Sequence, residues 1–292
     1  YDAVTARGRA TLITDTAEAT ARVIAAGTEA ARRHTPGFLG LHLEGPHLDP
    51  RRKGAHDPAL IRPMAEADVV RLLEAAARLP SLMVTLAPES ANPEQIARLA
   101  AAGVIVSLGH TDCSHAEAKA AISAGASCVT HLFNAMSQLG NRDPGLVGAA
   151  LTGPVHAGLI ADGIHVAVET IRIALAVSDR LFLVSDAMAA AGSDLTAFTL
   201  NGRRILRRDG SLRLEDGTLA GADLTLPQAI RVMIGLGTPA ETALAMATSR
   251  PADCLRRAAD LGHLQPGRVA DMVHLRSDCS LGGVWREGQR IL

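Results

Sequence analysis

The chain has 292 residues, 48% of them hydrophobic and 20% charged, with a net charge of −1. That length suits one large α/β domain with room for a small appendage. The near-neutral balance and the lack of any basic block argue against a nucleic-acid or anionic-membrane surface, and no apolar run approaches the roughly 18 residues needed to span a bilayer.

Taken in chain order, short Val/Ile/Leu-rich runs predict strands near residues 8–13, 38–44, 82–88, 104–110, 126–132, 156–162 and 181–186. Such runs are the mark of strands buried on both faces. Between them lie amphipathic segments at 14–34, 63–80, 92–103, 113–125 and 168–177, the first opening on Thr/Asp capping residues. After Asp186 the texture changes. Residues 197–219 alternate apolar and polar around Asn201-Gly202, Asp209-Gly210 and Asp216-Gly217, the turn dipeptides of hairpins. Helical patterns return at 226–237 and 239–258, and the tail from Gln265 reads as short strands joined by Gly-rich turns. Aromatics are only 2% of the chain, so Ala, Val, Leu and Ile must build the core. The four cysteines show no CxxC spacing, which fits a reduced, cytoplasmic setting.

Strand-helix alternation of this length predicts an α/β fold. Candidate ligands at the ends of several strands favour a (β/α)8 TIM-type barrel over an open sheet. Seven strands are readable where a closed barrel has eight, and the chain starts without Met a few residues before one of them. The expectation is a barrel missing its first strand, with a gap between the first and last strands. The barrel would cover residues 1–262, with a β-hairpin insert at about 196–219, and residues 263–292 would form the carboxy-terminal part of a small, partial β-sandwich domain.

Glu44, His110 and His131 each follow a different strand. A catalytic zinc-type site takes three such ligands and leaves a position for water. Any one of these His, alone, is more often a hydrogen-bonded core residue than a ligand. His42, two residues before Glu44 on the same strand face, reads as packing or as support for the ligands. Asp186 could move a proton to and from a reacting water, or it could cap the turn that follows. His56 between Gly54 and Pro58, and Arg142 in a polar turn, would ordinarily be surface residues, although Arg is also the usual fork for phosphate. Asn134 stands three residues past His131, within reach of a ligand.

The segments GLHLEGPHLDPRRKGAH, THLFNAM followed by NRDPG, ADGIHV, LVSDAMAAAG and DGTLAG, in this order, resemble the N-acetylglucosamine-6-phosphate deacetylases of the amidohydrolase superfamily. The resemblance runs over essentially the whole chain. It implies metal ligation by Glu44, His110 and His131, with Asp186 as general base and then general acid. It implies that His56 polarises the acetyl carbonyl and that Asn134, Ala135, Arg142, His165 and Leu219 bind the sugar phosphate, Arg142 from a neighbouring subunit of a homodimer. It further implies a divalent cation, zinc first with Fe, Co or Mn as alternatives, and neither nucleic-acid nor membrane partners. Two departures stand out: the family's amino-terminal segment is absent, and position 47, often aromatic in the family, is His47. A sister amidohydrolase acting on another N-acetylated amino-sugar phosphate or a cyclic amide, and an inactive truncated chain, are the competing readings.

Overall fold

The computed structural model of the chain describes residues 8–292. Two compact units divide them, one ending at Ala157 and the other beginning at Gly158. In the first, strands β1 (Gly8–Ile13), β2 (Phe38–Glu44), β3 (Leu82–Leu86), β4 (Ile105–Leu108), β5 (Cys128–Val129) and the start of β6 (His156–Leu159) pair in parallel, each with its sequence neighbour. Helices α1 (Ala17–Arg32), α2 (Glu66–Ala76), α3 (Pro93–Ala101), α4 (His115–Ser123) and α5 (Gly145–Thr152) alternate with them. Leu41, Leu43, Val84, Leu86, Val106, Leu108 and Val129 are all buried, as expected of central parallel strands covered on both faces.

The helices start where short polar side chains can satisfy their first backbone donors. Thr16 caps α1 by accepting from the Ala19 N–H at 3.1 Å. Asn92 with Gln95, and Ser114 with Glu117, form reciprocal capping boxes on α3 and α4. Helix α5 is absent from the sequence reading for a physical reason. Every residue from Gly145 to Leu151 is buried, so the segment has no polar face and no amphipathic period to detect.

In the second unit, α6 (Val168–Val177) precedes β7 (Leu181–Leu183), and the Val184 N–H donates to the Leu159 carbonyl at 3.1 Å. The parallel sheet thus has seven strands among the described residues, in the order of the chain, the arrangement of a TIM-type barrel. The segment read as hairpins is a four-stranded antiparallel meander: β8 (Ala197–Leu200), β9 (Arg203–Arg208), β10 (Ser211–Leu214) and β11 (Leu219–Ala222). Asn201 and Asp209 have φ of 47° and 50°, each followed by a positive-φ glycine, the backbone that two-residue hairpin turns demand. Helix α7 (Leu226–Gly235) follows. The single helix expected over 239–258 is instead two, α8 (Ala240–Ala247) and α9 (Ser249–Cys254), because Thr248 leaves the helical region at φ −131°. The tail forms an antiparallel sheet of β12 (Met272–Leu275), β13 (Leu281–Arg286) and β14 (Gln289–Arg290).

One backbone position controls how β2 meets β3. Gly40 has φ +125°, and a Cβ there would lie 2.0 Å from the Ser81 carbonyl oxygen. Gly40→Ala is therefore expected to destabilise the chain by more than about 3 kcal/mol. Gly103→Ala, at φ +85° with nothing within 4 Å, should cost only the about 1–2 kcal/mol of the left-handed backbone. Urea unfolding measures both, and equal midpoints for the two variants would contradict this account of the β2–β3 approach.

Candidate active site

Glu44 is the last residue of β2, while His110 and His131 each lie two residues beyond the ends of β4 and β5. The two histidines take left-handed backbone conformations, φ 48° and 29°. Non-glycine residues pay for that geometry and keep it where the surroundings enforce it. All three side chains are buried and their functional atoms meet. His110 Nε2 lies 3.1 Å from Glu44 Oε1 and 3.1 Å from His131 Nε2, and His131 Nε2 lies 3.0 Å from Glu44 Oε1.

The chemistry of this triangle follows from the other ring nitrogen of His110. Nδ1 is 2.8 Å from the Arg52 carbonyl oxygen, which can only accept, so Nδ1 carries the proton. The neutral ring then presents a lone pair at Nε2, toward a carboxylate oxygen and a second imidazole. A histidine held by a carbonyl in this way is set up as a metal ligand. In a tetrahedral site with bonds of about 2.0–2.2 Å the ligand atoms stand about 3.4 Å apart, a few tenths of an ångström from the spacing observed.

His56 departs from the surface role that its loop position suggests. It is only 3% exposed, and its ring packs edge-on against His110 with centroids 4.3 Å apart. The Thr14 N–H donates to its Nδ1 at 3.3 Å, and the Thr14 hydroxyl lies 2.7 Å from the same atom. Nδ1 is therefore the acceptor and Nε2 the protonated nitrogen, a hydrogen-bond donor beside the cluster. Thr14 as the residue that sets this tautomer has no signature in the sequence.

Below the cluster lies a second feature that sequence reasoning missed. His42 Nε2 meets the Thr85 hydroxyl at 2.7 Å, Thr85 meets Thr130 at 2.7 Å, and Thr130 meets Ser107 at 2.6 Å. Thr85 pairs in register with Glu44, so this hydroxyl chain starts on the strand beside the ligand at its level. Burial holds the His42 pKa down at about 4, keeping it neutral. His47 packs away from the Glu44–His110–His131 cluster's hydrogen bonds and pairs elsewhere. It is buried, donates from Nδ1 to the Arg62 carbonyl at 3.1 Å, and stands 3.9 Å from Asp68.

Asn134 and Ala135 sit in the loop after β5. Asn134 Nδ2 donates toward the Leu132 and His131 carbonyls at 3.3 and 3.4 Å, and Ala135 has φ 49°. Arg142 is exposed and pairs with no acid among the described residues. In the second unit, Asp186 has φ 45° and its carbonyl accepts from the Ala222 N–H at 2.8 Å. No helix begins at Asp186, and a turn follows at residues 189–192. His165 donates from Nδ1 to Asp162 at 2.6 Å, and its buried Nε2 has no hydrogen-bond partner among the described residues. Asp162, which orients that ring, was also missed. Leu219 opens β11 and is half-buried.

The two assigned tautomers are opposite, and long-range 15N–1H NMR reads them directly. His56 should be protonated at Nε2 and His110 at Nδ1. A His56 ring carrying its proton on Nδ1 would remove the donor beside the cluster.

The amidohydrolase family pattern matches residues 4–291. An N-acetylgalactosamine-6-phosphate deacetylase of Shewanella sp. (strain ANA-3) is 40% identical over 283 residues, covering 96% of this chain and 71% of that protein. An N-acetylgalactosamine-6-phosphate deacetylase of Escherichia coli O157:H7 is 38% identical, covering 88% of this chain and 70% of that protein. Among solved structures, the N-acetylglucosamine-6-phosphate deacetylase from Pasteurella multocida superposes with a TM-score of 0.94 at 33% identity, covering 98% of this chain and 76% of that one. With its three-donor cluster at the strand ends and a family match across almost its whole length, the chain belongs to the amidohydrolase family.

Proposed function

We propose that the chain hydrolyses the N-acetyl group of N-acetylglucosamine 6-phosphate, releasing glucosamine 6-phosphate and acetate, at a divalent metal held by Glu44, His110 and His131. The observation that carries this reading is the buried Glu-His-His cluster in a chain so similar to amino-sugar-phosphate deacetylases. Two imidazoles and one carboxylate suit zinc, with Fe, Co or Mn able to take the same donors. Such an ion supplies Lewis acidity, polarising a carbonyl and easing loss of a proton from water near neutral pH.

The residues divide the rest of the work. The Asp186 carboxylate accepts the proton of the attacking water as the new C–O bond forms. It returns that proton to the nitrogen as the C–N bond breaks, so that the amine leaves neutral. The His56 Nε2–H donates to the acetyl oxygen, where negative charge accumulates. Asn134, Ala135 and Leu219 contact the sugar phosphate. His165 and Arg142 take the phosphate, Arg142 from the second copy of a homodimer. Binding energy spent at the phosphate orients the amide. The barrel is taken to extend to residue 262 with 263–292 belonging to a small β-domain, and the enzyme to work in the cytoplasm, as four cysteines without paired spacing suggest.

A second reading exchanges the epimer. The Shewanella and Escherichia relatives, at 40% and 38% identity, carry the name N-acetylgalactosamine-6-phosphate deacetylase, which favours the galacto sugar phosphate as the substrate. The ratio of kcat/KM for the two 6-phosphates decides between them. A higher value for the gluco epimer is expected, and the reverse order would establish the second reading.

Asp186→Asn should leave metal content intact and lower turnover by at least about 100-fold, the lower end for general acid–base catalysis. Near-normal turnover of that variant would remove Asp186 from the mechanism. Turnover of N-acetylglucosamine should be far poorer than that of its 6-phosphate, and Arg142→Ala should shrink the difference. Equal kcat/KM for the free and phosphorylated sugars in the unmodified enzyme would eliminate the phosphate site.

A further inference from the structure

His110 rests in a saddle made by one loop, the segment that follows β2. The Asp49 N–H donates to the His110 carbonyl at 2.8 Å, and the Arg52 carbonyl accepts from His110 Nδ1 at 2.8 Å. Gly54 lies so close that a Cβ there would stand 3.2 Å from His110 Cε1, and His56 packs on the ring. The regular structure of the loop is a three-residue 3-10 turn, Pro50–Arg52.

Charge pairs add to the backbone bonds that tie it to its neighbours. The Arg52 guanidinium grips Asp112 Oδ1 through Nε at 2.8 Å and Nη2 at 2.6 Å. Arg51 bonds Asp49 through Nε at 2.8 Å and reaches Asp112 at 3.4 Å and Glu89 at 3.3 Å. Glu89 accepts from the Thr111 hydroxyl at 2.5 Å and the Asp112 N–H at 2.9 Å. Asp112 is two residues past His110, and Arg52 supplies the carbonyl on its ring. A closed circuit results, from the His110 backbone through the Asp112 and Arg52 side chains to the Arg52 carbonyl and back to Nδ1.

We propose that the Arg52–Asp112 ion pair is a positioning clamp for the metal centre, fixing the Arg52 carbonyl on His110 and, through the same loop, the place of His56. This rests on Glu44, His110 and His131 being the metal site. Partners that orient a ligating histidine govern its basicity and aim, and losing one weakens metal affinity about ten- to a hundred-fold. The pair itself is half exposed, 37% for Arg52 and 30% for Asp112, and so adds little to overall stability. The clamp therefore acts on the ligand and leaves the fold nearly unchanged, which makes the two effects separable.

The test measures zinc affinity of the full chain by competition with a chromogenic chelator, together with the visible absorption of the cobalt-substituted protein. Asp112→Asn and Arg52→Gln should each weaken zinc binding about ten- to a hundred-fold and alter the cobalt bands, with thermal midpoints close to that of the unmodified chain. Arg52→Lys, which keeps a cation for Asp112, should recover part of the affinity. Arg98→Gln, which breaks the remote pair with Glu66, should change neither reading. Should Asp112→Asn fail to fold, Arg52→Gln carries the comparison. Zinc affinity within about twofold and an unaltered cobalt spectrum in Arg52→Gln would overturn the clamp, as would an equal loss in Arg98→Gln. If the unmodified chain binds neither zinc nor cobalt, the metal site itself falls and the clamp with it.

Discussion

Three atoms that carry lone pairs, one carboxylate oxygen and two imidazole nitrogens, lie within 3.1 Å of one another in a buried place. Removed from water, such atoms repel unless a positive charge stands among them, and the penalty for leaving them uncompensated is several kcal/mol. The proton of His110 is already committed to the Arg52 carbonyl. A divalent cation is the simplest resolution, and much of the surrounding structure can be understood as a means of holding the three donors in place for it.

That holding is done in layers. The parallel strands set the Cα positions, since Glu44, His110 and His131 all stand at carboxyl ends of neighbouring or next-neighbouring strands. Left-handed backbone at both histidines then turns their side chains to one point, at a conformational cost that the tight burial around them offsets. Beneath, the His42–Thr85–Thr130–Ser107 chain pairs four polar side chains with one another away from water. Around the rim, Thr14 fixes the tautomer of His56, and the charged loop fixes that of His110.

How much of this could be read beforehand depended on whether the signal was local. The strand positions were legible because buried parallel strands are continuous apolar runs, and observed and expected starts agree to within two residues throughout the parallel sheet. The meander was legible because Asn201-Gly202 and Asp209-Gly210 need positive φ. Helix α5 was not, because burial on all sides erases the period. The division between α8 and α9 follows from Pro251, which cannot donate to the Ala247 carbonyl at the end of α8, a signal masked by the apolar pattern over 239–258. The Glu-His-His ligand set was legible as three strand ends bearing the right donors. The burial of His56, the hydroxyl chain and the Arg52 carbonyl on His110 were not, since each joins residues from 23 to 58 positions apart or uses a backbone atom, which carries no residue identity.

The central claim is that Glu44, His110 and His131 share one divalent ion, and anomalous X-ray scattering from a zinc-loaded crystal tests it most directly. Data collected on either side of the zinc absorption edge should show one dominant peak about 2.0–2.2 Å from Glu44 Oε1, His110 Nε2 and His131 Nε2. A dominant peak on other residues, with these three side chains still in mutual contact and no density between them, would contradict the account.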